Sequence, residues 1–386
     1  MSEYIAEHKQ TVKCPYPFNS LYYDMTNRMG PCSLNPLVPA VPVTEYLNSK
    51  SLSQIKTDMI NEVRTTGYCN ERCYKYEDIG FDSMRSGILQ RFPDKSIYEK
   101  TKIQHIEVRF SNLCNCKCRI CYSSVSSAIA SEEKTHGIYN GPILKFAGPT
   151  EDFVLNEIKQ YTDELEAVTF SGGEPMLHWQ HWEFLDHLIA NNKKIDLLYY
   201  SNGSNITFKG THITEKWKHF NKILYRVSLD VSGSAVDYWR PGSGADWDTI
   251  VNNIRDIKNK SDNVDILYII TLAWPTLFRI GELLDEIKKI NNGNFQFSFN
   301  AMWEPKFSIQ NLPANIKKKA KEYLENIPLL STTSDCKYII NYMNSADKTL
   351  LLPLAFKSLK EVDLRRNQSF MDVFPEYQEL AKEYGY

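Results

Sequence analysis

From about residue 103 the chain repeats one pattern, a short apolar run followed by a stretch of helical periodicity. The spacing predicts strands over 105–110, 166–170, 195–200, 223–229, 264–271 and 295–303. Between them Trp182, Leu185, Leu188 and Ile189 fall on one helical face. Trp247, Ile250, Val251, Ile254 and Ile257 mark a second, and Leu277, Ile280, Leu283, Leu284 and Ile287 a third. This alternation limits the possible folds more than any other feature, because strands joined through helices pair parallel and need cover on both faces. It predicts an α/β protein with a parallel sheet, open or curled into a partial barrel. Beyond about residue 310 the segments read as helices punctuated by Pro313 and Pro328, and a helix restarts near Pro375. The chain shows no internal repeat and no low-complexity tract.

Polar residues gather where these strands end. Arg109 to Tyr122 follows the first strand and carries Cys114, Cys118 and Cys121 in a C-x3-C-x2-C pattern. Thiolates this close on one loop suit an iron–sulfur cluster or a metal ion. Three ligands on a four-iron cluster leave one iron open, which implies chemistry rather than scaffolding. Ser171-Gly172-Gly173-Glu174-Pro175 follows the second strand, Ser201-Asn202-Gly203 the third, and Ser228-Leu229-Asp230 closes the fourth. The C-terminal ends of parallel strands are where barrel and open-sheet enzymes build their sites.

The first hundred residues read differently. Cys14-Pro15-Tyr16-Pro17 leads into a strand candidate over 18–24, then a turn at Arg28-Met29-Gly30-Pro31, then Cys32. A hairpin there would bring two thiols together. Pro36, Pro39 and Pro42 keep the next segment extended. Leu52, Ile55, Met59, Ile60 and Val63 recur at helical spacing and deliver the chain to Cys69 and Cys73. Of nine cysteines, eight lie in the first third, in two groups, a distribution too uneven for ordinary core thiols. In a reducing compartment such groups are ligands or catalytic thiols rather than disulfides, with zinc the main competitor to a cluster.

With 386 residues, 42% hydrophobic and 24% charged, the chain can bury a large core in roughly two or three folding units. A net charge of −2 gives no basis for bulk attraction to nucleic acid or to a membrane. The first residues lack the basic and apolar regions of a signal peptide, and the longest apolar run, around 266–274, is too short to span a bilayer. The expected location is cytoplasmic.

On these motifs the region 103–310 resembles the radical S-adenosylmethionine superfamily. The resemblance implies a partial (β/α)6 TIM-like barrel. Cys114, Cys118 and Cys121 would ligate three irons of a [4Fe–4S] cluster, and S-adenosylmethionine would chelate the fourth. Gly172, Gly173 and Glu174 match a Gly-Gly-Glu-Pro motif that holds the methionine amino group. Ser201, Asn202, Ser228 and Asp230 match strand-end positions near the ribose and the methionyl carboxylate, and Arg240 a position near that carboxylate. The family usually carries an aromatic residue just before the third cysteine. Here that residue is Ile120, and Tyr122 is the candidate adenine neighbour. The amino-terminal third is similar to SPASM/twitch auxiliary-cluster domains, placed here before the barrel. Cys14, Cys32, Cys69 and Cys73, with the run Glu77, Gly80, Ser83 and Arg85, carry that likeness and imply a second [4Fe–4S] cluster. Relatives space the last pair C-x2-C, whereas this chain has C-x3-C. The tail from Arg365 to Glu376 also fits this layout. The implied organisation is an auxiliary-cluster domain over 1–100, a core barrel over 101–310 and a helical extension over 311–386.

The implied reaction is reductive cleavage of S-adenosylmethionine to a 5′-deoxyadenosyl radical, which abstracts hydrogen from a substrate. A peptide or protein is the first choice, because many auxiliary-cluster relatives act on peptides. Dehydrogenation or rearrangement of a small metabolite or nucleotide is the alternative. An electron donor such as flavodoxin or ferredoxin is the implied partner. A non-enzymatic zinc or iron–sulfur module is the reading from another class, though it leaves Gly172-Gly173-Glu174-Pro175 unexplained. Cys116 reads as a loop thiol outside the ligand set, and Cys336 as a packing residue. His178, His181 and His187 read as solvated or capping, Glu304 after Trp303 as a surface carboxylate, and Lys317-Lys318-Lys319 as a solvated helix face.

Overall fold

The computed structural model describes residues 12–35, 38–65, 67–78, 83–93, 95–99, 101–302, 304–331 and 333–386. Pro36, Gly80 and Trp303 lie outside them. The chain divides into two compact units. The first takes in Met1–Cys114, Ser123–Tyr200 and Ile206–Leu224, and the second Asn115–Tyr122, Ser201–Asn205 and Tyr225–Tyr386.

In the first unit the strands are β1 (Ser20–Asp24), β2 (Arg28–Gly30), β3 (Val38–Pro39), β4 (His105–Val108), β5 (Ala167–Phe170) and β6 (Asp196–Ser201). Their order is β6-β5-β4-β1-β2-β3. β1, β4, β5 and β6 run parallel, so a strand from the cysteine-rich region extends the sheet begun by the repeats. All four residues of β5 are buried, as expected of a parallel strand covered on both faces. The helix Trp179–Ala190 lays Trp182, Phe184, Leu185 and Leu188 into this core. Phe170 stacks on Tyr199 with ring centroids 5.1 Å apart. A small hairpin, β7 (Thr207–Phe208) with β8 (Thr211–His212), turns through Lys209 and Gly210, both at positive φ. Nothing in the periodicity announced it.

The second unit holds β9 (Ile223–Ser228, whose first two residues belong to the first unit), β10 (Val264–Leu272) and β11 (Gln296–Ala301), in the order β11-β10-β9. β10 and β11 are parallel. The helix Trp247–Lys260 is started by Asp246, whose carboxylate accepts the Thr249 N–H, and buries Ile250, Val251, Ile254 and Ile257. The helix Ile280–Ile290 buries Ile280, Leu283, Leu284 and Ile287, while Leu277 sits on the 3₁₀ turn before it. Beyond residue 310 the elements are helical, including Ala314–Glu325, Ser334–Asn344 and Leu352–Arg366. Among the described residues no helix is long and apolar enough to cross a membrane.

The six strands of the repeat fall where the pattern places them, and the α/β class follows. Two expectations in the first hundred residues need correcting. The hairpin turns at 25–27 rather than at 28–31, because Asp24 accepts the Thr26 N–H at 2.7 Å and Asn27 takes a left-handed φ of 59°. Arg28–Gly30 is thereby strand. The helix Lys50–Ile60 buries Leu52 and Met59, but Ile60, its last residue, and Val63, beyond its end, are exposed.

Burial sets the expected response to truncation. Leu284→Ala should lower the free energy of unfolding in urea by about 2–5 kcal/mol, because the side chain is fully buried. Leu364→Ala, which is 77% exposed, should change it by no more than about 0.5 kcal/mol.

Candidate functional site

In the second unit, Asn115–Tyr122 runs antiparallel to the segment 239–243. The Lys117 N–H donates to the Pro241 carbonyl at 2.6 Å, the Arg119 N–H to Trp239 at 3.0 Å, and the Ser243 N–H to Asn115 at 3.1 Å. Cys116 faces Gly242 across this pairing. A Cβ on Gly242 would stand 2.8 Å from the Cys116 sulfur, so the close approach requires glycine. Asn202 braces the same loop. Its amide NH2 donates to Asn115 Oδ1 at 2.9 Å and to the Cys116 sulfur at 3.1 Å, and its Oδ1 accepts from the Ser204 N–H and hydroxyl at 2.9 and 2.6 Å. Asn115 in turn donates to Ser204 Oγ and to the Ser243 carbonyl, both at 2.8 Å. Cys116 is thus buried within the loop, its sulfur engaged by Asn202.

Hydrogen bonds from Cys116 and Cys121, then the Arg240 cation, hold the Cys118 thiol well below the usual range despite burial. Burial works against the Arg240 charge, but Cys118 and Asp230 favour it by more, so the guanidinium stays protonated. Asp230 is fully buried with both oxygens engaged. Oδ2 accepts from Arg240 at 2.8 Å and Oδ1 from the Thr271 N–H at 2.8 Å. Ser201 Oγ lies 3.0 Å from the Tyr225 hydroxyl and accepts the Gly203 N–H at 3.0 Å. Ser228 is half-buried, and Tyr122 is exposed.

In the first unit the Gly-Gly-Glu-Pro turn packs on the backbone leading to the cysteine loop. The Glu174 N–H donates to the Leu113 carbonyl at 2.8 Å. Gly173 has φ 53°, and a Cβ there would fall 2.2 Å from that carbonyl oxygen. Glu174 is fully buried and accepts the Met176 N–H at 3.3 Å. The Cys114 N–H donates to Ser127 Oγ at 3.1 Å.

The histidines differ from expectation. His178 and His181 are buried, not solvated. His178 donates from Nε2 to the Leu113 carbonyl at 3.1 Å, and burial pushes its pKa down to about 4. His181 shares a 2.9 Å hydrogen bond with the Tyr199 hydroxyl, and burial holds it well below its ordinary range. His187 is half-buried and stacks on Phe184. The roles of Asn115, Ser204, Gly242 and His178 were not foreseen. Only the Asn-Gly-Ser run after Ser201 carried a usable signal, as a polar turn.

The four amino-terminal cysteines converge. Cys14, Cys32, Cys69 and Cys73 line one cavity with Tyr16, Met59 and Arg85. Burial raises the Cys14 thiol, followed by Cys73 and Cys69; burial also raises Cys32, followed by Cys14, Cys69 and Cys73. Each sulfur has a donor. The Tyr16, Leu34 and Arg85 N–H groups serve Cys14, Cys32 and Cys73, and the Asn35 amide lies 3.4 Å from Cys69. Cys69 caps and Cys73 lies within a π-helical turn, Asn70–Tyr74, so the C-x3-C spacing is spanned by a widened turn. Glu77 and Arg85 form a buried ion pair, joined by the Ser83 hydroxyl. Arg85 also donates to the Lys13 carbonyl at 2.9 Å. Among the described residues no three His, Cys, Asp or Glu side chains already form a cage for a single ion; the four thiols line the walls of a cavity. This donor set fits an iron–sulfur cluster, since N–H groups aimed at sulfur favour thiolate ligands.

Cys336 is buried on the helix Ser334–Asn344, and Glu304 is half-buried. Lys317 is half-buried, with Nζ 3.0 Å from the Ala346 carbonyl, so only part of the lysine run is a solvated face.

Two outcomes follow. Gly173→Ala should destabilise the turn by about 1–3 kcal/mol, read as a lower melting temperature, because a side chain at this φ must displace the Leu113 carbonyl. His178 binds its proton more weakly folded than unfolded, so its contribution is whole above pH 6.5 and is lost as pH falls from 6.5 towards 4. The loss is about 3 kcal/mol for the metal-free protein. His178→Gln should flatten stability over that window in pH-dependent urea melts.

Residues 108–273 match the model of the radical SAM superfamily. No curated protein sequence matches the chain. Solved structures similar to it include anSMEcpe with bound AdoMet, at 18% identity over 58% of this chain and 58% of that one, with a TM-score of 0.40. Another is Streptococcus suis SuiB bound to precursor peptide SuiA, at 14% identity over 72% of this chain and 58% of that one, with a TM-score of 0.39. The chain therefore spans 58% of the length of each. A domain of this kind implies a [4Fe–4S] cluster and S-adenosylmethionine. The match to the radical SAM model covers residues 108–273, under half of the chain.

Proposed function

We propose that this chain is a radical S-adenosylmethionine enzyme acting on a peptide or protein, with a second iron–sulfur cluster at Cys14, Cys32, Cys69 and Cys73. The observation that carries the reading is the pairing of a radical SAM domain with four further thiols that line one cavity, each within reach of a hydrogen-bond donor. When bound at Cys114, Cys118 and Cys121, the cluster and S-adenosylmethionine supply a 5′-deoxyadenosyl radical that removes a hydrogen atom from the substrate.

The protein's own residues bind and orient. In the first unit Gly172 and Gly173 allow close backbone approach, and buried Glu174 is the acceptor for an ammonium group. In the second, Arg240 offers a fixed positive charge for a carboxylate. Asp230, saturated by Arg240 and Thr271, holds that arginine rather than meeting a ligand. Ser201 and Ser228 are assigned to the ribose, Asn202 to the loop it braces, and Tyr122 to the adenine. Held by Cys14, Cys32, Cys69 and Cys73, a second cluster would keep no open ligand position, which would suit it to relaying an electron or walling the substrate site. An external donor such as flavodoxin or ferredoxin supplies the electron.

Anaerobic reconstitution tests this. The expected content is about eight irons per chain, falling to about four when Cys114, Cys118 and Cys121 are replaced together. Release of 5′-deoxyadenosine should accompany turnover and vanish in that variant. Bound zinc without sulfide, and no cleavage of S-adenosylmethionine, would establish a metal-binding module instead. Turnover with metabolites or nucleotides but with no peptide would replace the substrate class.

A further inference from the structure

We infer that the segment carrying Asp363 to Tyr386 is a tether that holds the cysteine loop in its liganding conformation, with Arg119 as the positioning residue through which it acts. The inference rests on the reading of that loop as a cluster site. Arg119 stands between Cys118 and Cys121, and its guanidinium is buried in the second unit. Nη2 lies 2.5 Å from Asp363 Oδ1 and donates to Gln368 Oε1 at 2.8 Å. Nε donates to the Tyr238 carbonyl at 2.9 Å, and the guanidinium lies 3.5 Å from the Tyr238 ring centroid.

The carboxylate at the other end is itself locked. Asp363 Oδ2 accepts the Phe370 N–H at 2.6 Å, the Tyr238 hydroxyl at 3.1 Å and the Tyr386 hydroxyl. Gln368 also donates to the Asp237 carbonyl at 3.0 Å. Asn367 turns the chain at φ 50°, bringing Gln368 and Phe370 back towards Asp363. Two charges out of water need partners; Nε and Nη2 of Arg119 and both carboxylate oxygens of Asp363 are engaged, while Arg119 Nη1 has no hydrogen-bond partner among the described residues. A buried ion pair of this kind fixes a conformation more than it adds stability, which is what a loop must have to present thiols in one arrangement. The arrangement gives the tail motif from Arg365 to Glu376 a task that neither the matched domain nor the second thiol set explains.

Asp363→Asn leaves the shape and removes the charge. In the metal-free full chain, amide exchange across residues 115–122 should rise about tenfold or more, the strength of a charge-assisted contact, with the helix Trp247–Lys260 unchanged. After reconstitution the iron content should fall from about eight towards about four, with the loss confined to the cluster that reduces S-adenosylmethionine by paramagnetic resonance. Asp363→Glu or Arg119→Lys should recover part of the iron, and Lys357→Ala, exposed on the same helix, should change nothing. Should Asp363→Asn not fold, Tyr386→Phe removes one hydroxyl from the same carboxylate and should give a smaller rise in loop exchange. Loop exchange equal to that of the wild type overturns the tether, as does a rise spread evenly over 225–386. Exchange is read without metal, so a wild-type chain that never binds iron at the loop would refute the cluster reading and leave the tether to be judged by exchange.

Discussion

A thiolate must carry its charge in a place that burial makes unfavourable for charge, and the arrangement around the cysteines answers to that constraint. The two sulfur groups meet it differently. Cys118 has two thiol donors and the Arg240 cation beside it, and its proton is already weakly held. At the amino terminus burial raises Cys14, Cys32 and Cys73, and the neighbouring thiols add to it, because each adds negative charge to the others' surroundings within a buried cavity. Such a set becomes anionic when a cation arrives, so metal binding there releases protons. The N–H and amide donors aimed at these sulfurs provide the remaining compensation.

The same economy explains why polar residues at the strand ends are so fully engaged. Asp230 has no oxygen left over, and Asn202 spends its whole amide on Asn115, Cys116 and Ser204. A buried polar group left unsatisfied costs more than a satisfied one gains, so side chains near a charged centre serve first as supports. Positions that the family resemblance ties to a ligand can therefore be one step removed from it. Arg240 faces Cys118, and Asp230 faces Arg240.

Much of this was legible in the sequence because parallel strands buried on both faces leave unbroken apolar runs, and thiol spacing is a local signal. β5 and β6, the helix Trp247–Lys260 and both cysteine groups were read from such patterns. The hairpin turn was misplaced because Asp24 and Asn27 outcompeted the Gly30-Pro31 pair, a contest decided by one side-chain acceptor. His178 and His181 were misread because histidine looks the same in a helix's first turn whether it meets water or a carbonyl. Their partners, Leu113 and Tyr199, lie far away in sequence. The π-helical turn at Asn70–Tyr74 was hidden for another reason. One inserted residue can widen a turn or shift a register, and the spacing alone does not choose between them.

Arg119 shows where sequence reasoning stops. Its partner is Asp363, and no periodicity or motif spacing links a loop after the first repeat strand to a helix in the last quarter of the chain. The pairing nevertheless gives the helical extension a contact with the cysteine loop. The domain match ends at residue 273, yet Phe370, Phe374 and Tyr377 pack against Trp239, Trp274 and Tyr238, residues around the ends of β9 and β10. Arg279, just past β10, is gripped by Glu376 through two hydrogen bonds of 2.8 and 2.9 Å. A tail fastened at these points carries Asp363 to a fixed position, and that position is the one from which a carboxylate can hold the middle of a cysteine loop. The extension is therefore part of the loop's support, and the matched domain by itself lacks the partner of one of its own buried charges.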